Sequence, residues 1–366
     1  MITLATSSKA ALPLLSMASS TPTCLWNDSA TPSELREAIG WGAVGATCNP
    51  VIALAALRAD LPRWRQRIAD RAAAQPTAGE SAIGWQLVRE LSVEAARLLE
   101  PAFARHNGRN GRVSIQTDPR LYRDRRALVE QAVEFSGLAP NVIVKIPAIP
   151  AGIAAIEEVT YRGVSVNATV SFTLAQALAV GDAVERGLRR REAEGVDVAT
   201  MGPVCTLMVG RLDDWLKLVV GRESLTLDPG YLEWAGVAVF KKAYAIYRQR
   251  GYRTRLLSAA FRNHMHWSQL VGGDVVISPP FSWQVRLNKS GIEPVPRMDE
   301  PVNPDVVSEL YAKLADFRRA YDDDALSAEE FLTFGASRRT LRQFLSATDE
   351  LDCFVRNVLL PDPDHE

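Results

Sequence analysis

The sequence predicts an α/β protein, a (β/α)8 TIM barrel with extra helices that include a C-terminal helical segment, and three observations carry that reading. Eight short apolar runs of strand character alternate with helical stretches, the pattern of a parallel sheet closed on itself. No GxGxxG turn runs directly from the first strand into a helix, and no GxxxxGK(S/T) loop occurs, whereas an open nucleotide-binding sheet would call for one of them. Nearly every predicted strand also ends in a polar side chain, and in a barrel those carboxyl ends form the site.

The first strand is Thr23 to Asn27, followed by Asp28-Ser29. Thr31 then offers a cap, Pro32 a first helical residue and Glu34 a capping-box partner, opening a helix to about Ile39. Ala43 to Thr47 is the second strand, closed by Cys48-Asn49-Pro50. Residues 51–103 read as mostly helical, with a break near Gln75 to Gly79. Arg112 to Gln116 is the third strand, and Arg125 to Ser136 the helix after it. The fourth is the run Asn141 to Pro147. Helix Gly152 to Tyr161, strand Val164 to Ala168, helix Thr173 to Glu194, strand Val204 to Val209 and a helix from Arg211 follow in turn. Helix Tyr231 to Gly251 precedes strands Arg255 to Ala259 and Val275 to Ile277, and from Asn303 the chain reads as helical with breaks. Residues 1–20 are expected to be a loose tail that resembles a signal peptide only faintly, and residues 21–366 a single barrel domain.

Composition narrows the function classes. The 366 residues carry a net charge of -1, with 47% hydrophobic and 23% charged residues, values of a soluble globular chain. Nothing points to nucleic acid or a membrane as partner, so an anionic substrate must be met by a few placed cations. Cys24, Cys48, Cys205 and Cys353 lack metal spacing and read as buried thiols of a reducing compartment, which makes a cytoplasmic protein the expectation. His264-Met265-His266 would present two imidazoles on one face of a strand, yet without a carboxylate or Cys pattern nearby no metal is expected.

Lys145 is the residue that stands out. It sits inside Val142-Ile143-Val144-Lys145-Ile146, a run apolar on both faces, as suits a buried parallel strand. Burial lowers an ammonium's pKa and yields a neutral amine able to attack a carbonyl; the plainer reading is a strand-end lysine whose head reaches water. The other strand ends bring Asp28, Asn49, Gln116, Asn167 with Thr169, Thr206, Arg262 with Asn263, and Ser278 to the same rim. Asp28 and Asn49 have the alternative of capping helices. The coincidence of these groups around one strand lysine favours an imine-forming Lys145.

The motifs Trp26-Asn27-Asp28-Ser29, Gly45-Ala46-Thr47-Cys48-Asn49-Pro50, Val144-Lys145-Ile146-Pro147-Ala148, Val166-Asn167-Ala168-Thr169, Gly210-Arg211-Leu212 and Ala260-Phe261-Arg262-Asn263 resemble, in order, the strand-end motifs of transaldolases. The resemblance spans roughly Thr23 to Pro280. It implies a class I transferase of carbohydrate metabolism and the pentose phosphate pathway, free of metal and cofactor, acting as monomer or homodimer on sugar phosphates. Lys145 would form a Schiff base with a ketose phosphate and pass a dihydroxyacetone unit to an aldose. By the same resemblance Asp28 is the general acid/base, Thr169 positions a catalytic water, Asn49 and Asn167 hold donor hydroxyls, Thr206 stands for a usual serine, and Arg211 and Arg262 clamp phosphate.

Besides Thr206, three positions depart from the pattern. Gln116 stands where transaldolases carry a proton-carrying glutamate. Fructose-6-phosphate aldolases also have Gln there, but pair it with a tyrosine whose counterpart here is Met208; and Ala260 replaces a serine beside Arg262. A transferase, a lyase releasing the three-carbon unit, and a barrel that binds a sugar phosphate with little turnover therefore stay open.

Overall fold

The structure, a computed structural model, describes residues 12–365. Its strands are β1 (Cys24–Asn27), β2 (Ala43–Thr47), β3 (Arg112–Gln116), β4 (Val142–Pro147), β5 (Val166–Ser171), β6 (Val204–Leu207), β7 (Arg255–Ala259) and β8 (Val276–Ser278). They close in chain order into a barrel in which every neighbouring pair is parallel. β5 begins and ends later than expected, and β6 stops at Leu207 because the chain turns at Met208 into the helix Val209–Glu223.

The β4 sequence shows how the pattern builds the layers. Val142, Val144 and Ile146 join the core between barrel and helices, whereas Ile143 belongs to an inner cluster with Trp26, Val204, Leu257, Ala259 and Val276. Alternation along the strand therefore turns Lys145 inward, on the side of Ile143 and nearer the carboxyl end. Gly45 makes room for this inner plug: a Cβ there would stand 2.4 Å from the Trp26 ring.

Residues 51–103 fold as three helices, Pro50–Ala59, Leu61–Ala74 and Glu80–Arg105, with the expected break at 75–79 and another at Asp60. Pro32 opens its helix as predicted, but the Thr31 side chain makes no cap bond; Ser29 Oγ accepts from the Thr31 N–H instead, at 3.1 Å.

Two expectations about local structure are corrected. Within the segment expected to be loose, Pro13–Ser20 is a helix whose Leu14 and Met17 are fully buried against Leu25, Phe261, Trp267 and Ile277. Residues 1–11 lie outside the described part. His264-Met265-His266 is not a strand but leads into the short helix Met265–Ser268. A third correction concerns the cysteines expected to be buried: Cys48 and Cys205 are, but Cys24, at the start of β1, is only half-buried, and Cys353 is exposed on the last helix. No described helix is long and apolar enough to cross a membrane.

The last helix, Gly335–Leu359, buries Thr340, Leu341, Phe344, Ala347, Thr348, Leu351 and Val355, a stripe at helical spacing. It packs on the helices Pro50–Ala59, Leu61–Ala74, Glu80–Arg105 and Val209–Glu223 and touches β5. Gly335 lets its first turn seat closely, since a Cβ there would stand 1.9 Å from the Trp215 ring.

Candidate active site

Parallel register aligns Gln116 with Lys145 and Lys145 with Asn167, so three polar side chains of β3, β4 and β5 form one inward row. Lys145 is only 3% exposed. Burial holds its pKa below the ordinary lysine range, and the charge of Arg211 adds to the shift, while Asp28 and Cys48 pull the other way. The Cys48 thiol is itself pushed up to about 12 by burial and is uncharged at neutral pH, which leaves Asp28 as the counter-charge.

Asp28, half-buried just past β1, accepts a short hydrogen bond from Thr47 Oγ1 at the end of β2. Asn49 spends its Oδ1 on capping the helix Pro50–Ala59, accepting from Ile52 N–H at 3.0 Å, so only its amide hydrogens remain to offer. Asn167 accepts from Thr206 Oγ1 at 2.7 Å and donates to Ser114 Oγ at 3.0 Å, which fixes its orientation. By contrast Gln116 Oε1 and Thr169 Oγ1 are buried without a hydrogen-bond partner among the described residues. Such unspent capacity is costly in a core and useful to a substrate hydroxyl or a water.

Thr169 precedes a strained residue. Val170 has φ of +53°, unusual for a β-branched side chain, where the β5–β6 register shifts. Buried Gln176 braces the distortion by donating through Nε2 to Val170 O and Ala148 O, both at 2.9 Å.

Arg211 and Arg262 flank a cavity of about 190 Å³ together with Asp214, Arg339, Thr340 and Gln343. Arg211 donates to Gln343 Oε1 at 2.6 Å and Thr340 Oγ1 at 3.2 Å; burial, reinforced by Arg262, lowers its pKa to about 10. Arg262 pairs with Asp214 at 2.8 Å. A larger cavity of about 630 Å³ lies at the amino end of the barrel, beside Thr254 and Arg255, away from the lysine.

Arg262 is anchored through its backbone. Its N–H donates to His266 Nδ1 at 3.1 Å, so the proton of a neutral imidazole must sit on Nε2, which lies 2.8 Å from Asp213 Oδ2. Asp213 Oδ1 accepts from Gly236 N–H at 2.8 Å, and both Asp213 and His266 are fully buried. Burial raises the Asp213 carboxyl above its ordinary range, opposed by His266.

The barrel thus joins Gln116, Lys145, Asn167 and Thr206 by register and hydrogen bonds, with Asp28 and Arg211 acting on Lys145 through charge. Thr169 aligns with Pro147, one step beyond the lysine row, and Asn49 is partly committed to its cap. Arg262 joins the group only through the arginine cavity. Sequence reasoning missed Thr47, Ser114, the Asp213–His266 pair and the contribution of the last helix. Asp213-Asp214, directly after Arg211-Leu212, was the one visible signal.

Fold and site together define a (β/α)8 barrel with a buried lysine at its carboxyl mouth. The family described as Transaldolase/Fructose-6-phosphate aldolase matches residues 25–349, and the chain belongs to it. Among curated relatives, a protein named Transaldolase from Thiobacillus denitrificans is 32% identical over 262 residues, covering 64% of this chain and 70% of that one. Transaldolase 1 of Streptomyces avermitilis is 39% identical over 209 residues, 56% of this chain and 54% of the relative. Transaldolase 1 of Streptomyces coelicolor is 39% identical over 229 residues, 60% and 58%. The matched region thus spans little more than half the length of the two Streptomyces relatives.

Proposed function

We propose that the protein is a transaldolase-like transferase that moves a dihydroxyacetone unit from a ketose phosphate to an aldose through a Schiff base on Lys145. The observation that carries this reading is the buried Lys145, aligned with Gln116 and Asn167, its ammonium form disfavoured by burial and by Arg211. A neutral amine adds to the donor ketone and loses water to give an imine. The imine accepts the electron pair of the broken carbon–carbon bond, leaving an enamine on the lysine and releasing an aldose. An acceptor aldehyde re-forms the bond, and hydrolysis frees the lysine.

Asp28 takes the proton of the cleaved hydroxyl, its carboxylate held by Thr47. Thr169 and Gln116 offer unspent oxygens to a water or substrate hydroxyl. Asn167, oriented by Thr206 and Ser114, and Asn49 hold donor hydroxyls. Arg211 and Arg262 take the phosphate, a task suited to the guanidinium fork.

The test is covalent trapping. Incubation with fructose 6-phosphate or dihydroxyacetone, followed by borohydride, is expected to leave an adduct on Lys145 by mass spectrometry. Absence of an adduct with every ketose donor, together with full activity of Lys145→Ala, would refute the reading. Product analysis with and without an acceptor aldehyde separates transfer from release of the three-carbon unit as a lyase.

A further inference from the structure

We propose that the anion site is completed by the last helix, with Arg339 as a third guanidinium and Thr340 as a hydroxyl donor for a phosphate group; this rests on the reading of Arg211 and Arg262 given above. The charge balance of the cavity motivates it. Arg211, Arg262 and Arg339 line it with a single carboxylate, Asp214, and that carboxylate is taken by Arg262 at 2.8 Å. Neither Arg211 nor Arg339 has a carboxylate within ion-pair distance among the described residues. The two are close enough for the charge of Arg339 to depress the pKa of Arg211. Two like charges gathered on one small cavity repel each other, and a doubly charged phosphate bridging them removes that repulsion.

Thr340 supplies the second observation. It is 2% exposed, and its Oγ1 accepts from Arg211 Nη1 at 3.2 Å. That bond uses a lone pair and leaves the hydroxyl proton without an acceptor among the described residues, free to donate to an anion oxygen. Gln343 is the second anchor: its Oε1 accepts from the same Nη1 of Arg211 at 2.6 Å and holds that guanidinium toward the helix. Gln343 lies three residues from Thr340 and four from Arg339, so the helix brings all three to the cavity. The substrate class implied is a phosphorylated one, with the phosphate read jointly by the barrel and the helix.

Arg339→Gln and Arg339→Lys, with Thr340→Val as a second position, are assayed with fructose 6-phosphate and with unphosphorylated dihydroxyacetone as donors. Binding of inorganic phosphate to each protein is measured by calorimetry, which needs no turnover. Arg339→Gln is expected to raise KM for fructose 6-phosphate about tenfold, the scale of one charge-assisted hydrogen bond, and to weaken phosphate binding by a similar factor. Arg339→Lys restores part of both, and the KM for dihydroxyacetone moves by less than about twofold. Phosphate binding and fructose 6-phosphate KM within about twofold of wild type in both Arg339→Gln and Thr340→Val would overturn the proposal, as would equal losses with both donors. If Lys145 trapping fails while Arg339→Gln weakens phosphate binding, the transferase reading falls and the anion site stands.

Discussion

Asp213→Ala removes the carboxylate that holds both His266 Nε2–H and Gly236 N–H, each at 2.8 Å in a fully buried setting. Each of the two orphaned donors costs about 1–3 kcal/mol, so a destabilisation of about 2–6 kcal/mol is expected. Asp213→Asn is the sharper probe. Its single carbonyl can meet only one of the two donors. If the amide faces His266, the imidazole must move its proton to Nδ1, where it confronts the Arg262 N–H. If the amide faces Gly236, that N–H loses its acceptor. Either arrangement costs about 1–3 kcal/mol, and the first also displaces Arg262. Urea unfolding reads the stability, and KM for a phosphorylated donor reads the displacement, expected at about tenfold or more for a shift near 1 Å. Unfolding free energies of both variants within about 0.5 kcal/mol of wild type would refute the account of the pair. A destabilised Asp213→Asn with unchanged KM would refute its link to Arg262.

Lys145→Met is expected to abolish trapping yet raise stability by about 1 kcal/mol or more near neutral pH, since an amine whose protonated form burial disfavours gives way to an apolar chain of similar shape. The sign in pH follows from the lowered folded pKa of Lys145. The wild type gains stability as pH rises from that lowered value toward the unfolded value of about 10.4, because only the unfolded chain still holds the proton there; the variant lacks this gain, as urea midpoints across alkaline pH will show. Gln116→Glu restores a titratable group in the register row of Lys145 and is expected to raise transaldol activity. Its charge also favours the ammonium, so the alkaline rise of activity moves to higher pH; abolished activity would sink the proton-carrier reading of this position.

The barrel and most of its mouth were legible because local signals specified them. Apolar runs separated by helical periods placed eight strands, and Lys145 stood out because its neighbours Val144 and Ile146 belong to the core. Boundaries shifted where side-chain bonds decide them, as at Val170, whose bulge depends on Gln176 six residues on. The helix Pro13–Ser20 was hidden since its stabilising partners, Phe261 and Trp267, are remote in sequence. The same holds for Thr340 and Gln343, 129 and 132 residues from Arg211. His264-Met265-His266 misled because adjacent imidazoles look alike on paper, whereas only His266 turns into the core to meet Asp213.

The reach of the last helix bears on the order in which the molecule becomes competent during synthesis. All eight strands leave the ribosome before residue 335, so the lysine, its register partners and Asp28 can assemble first. Arg211 then waits for Gln343 and Thr340, more than a hundred residues downstream, to fix its guanidinium. On the proposed reading, a nascent barrel halted before that helix would hold Lys145 in its row while Arg211 still lacked the two partners that orient it, so the phosphate end of the site would be completed after the lysine end.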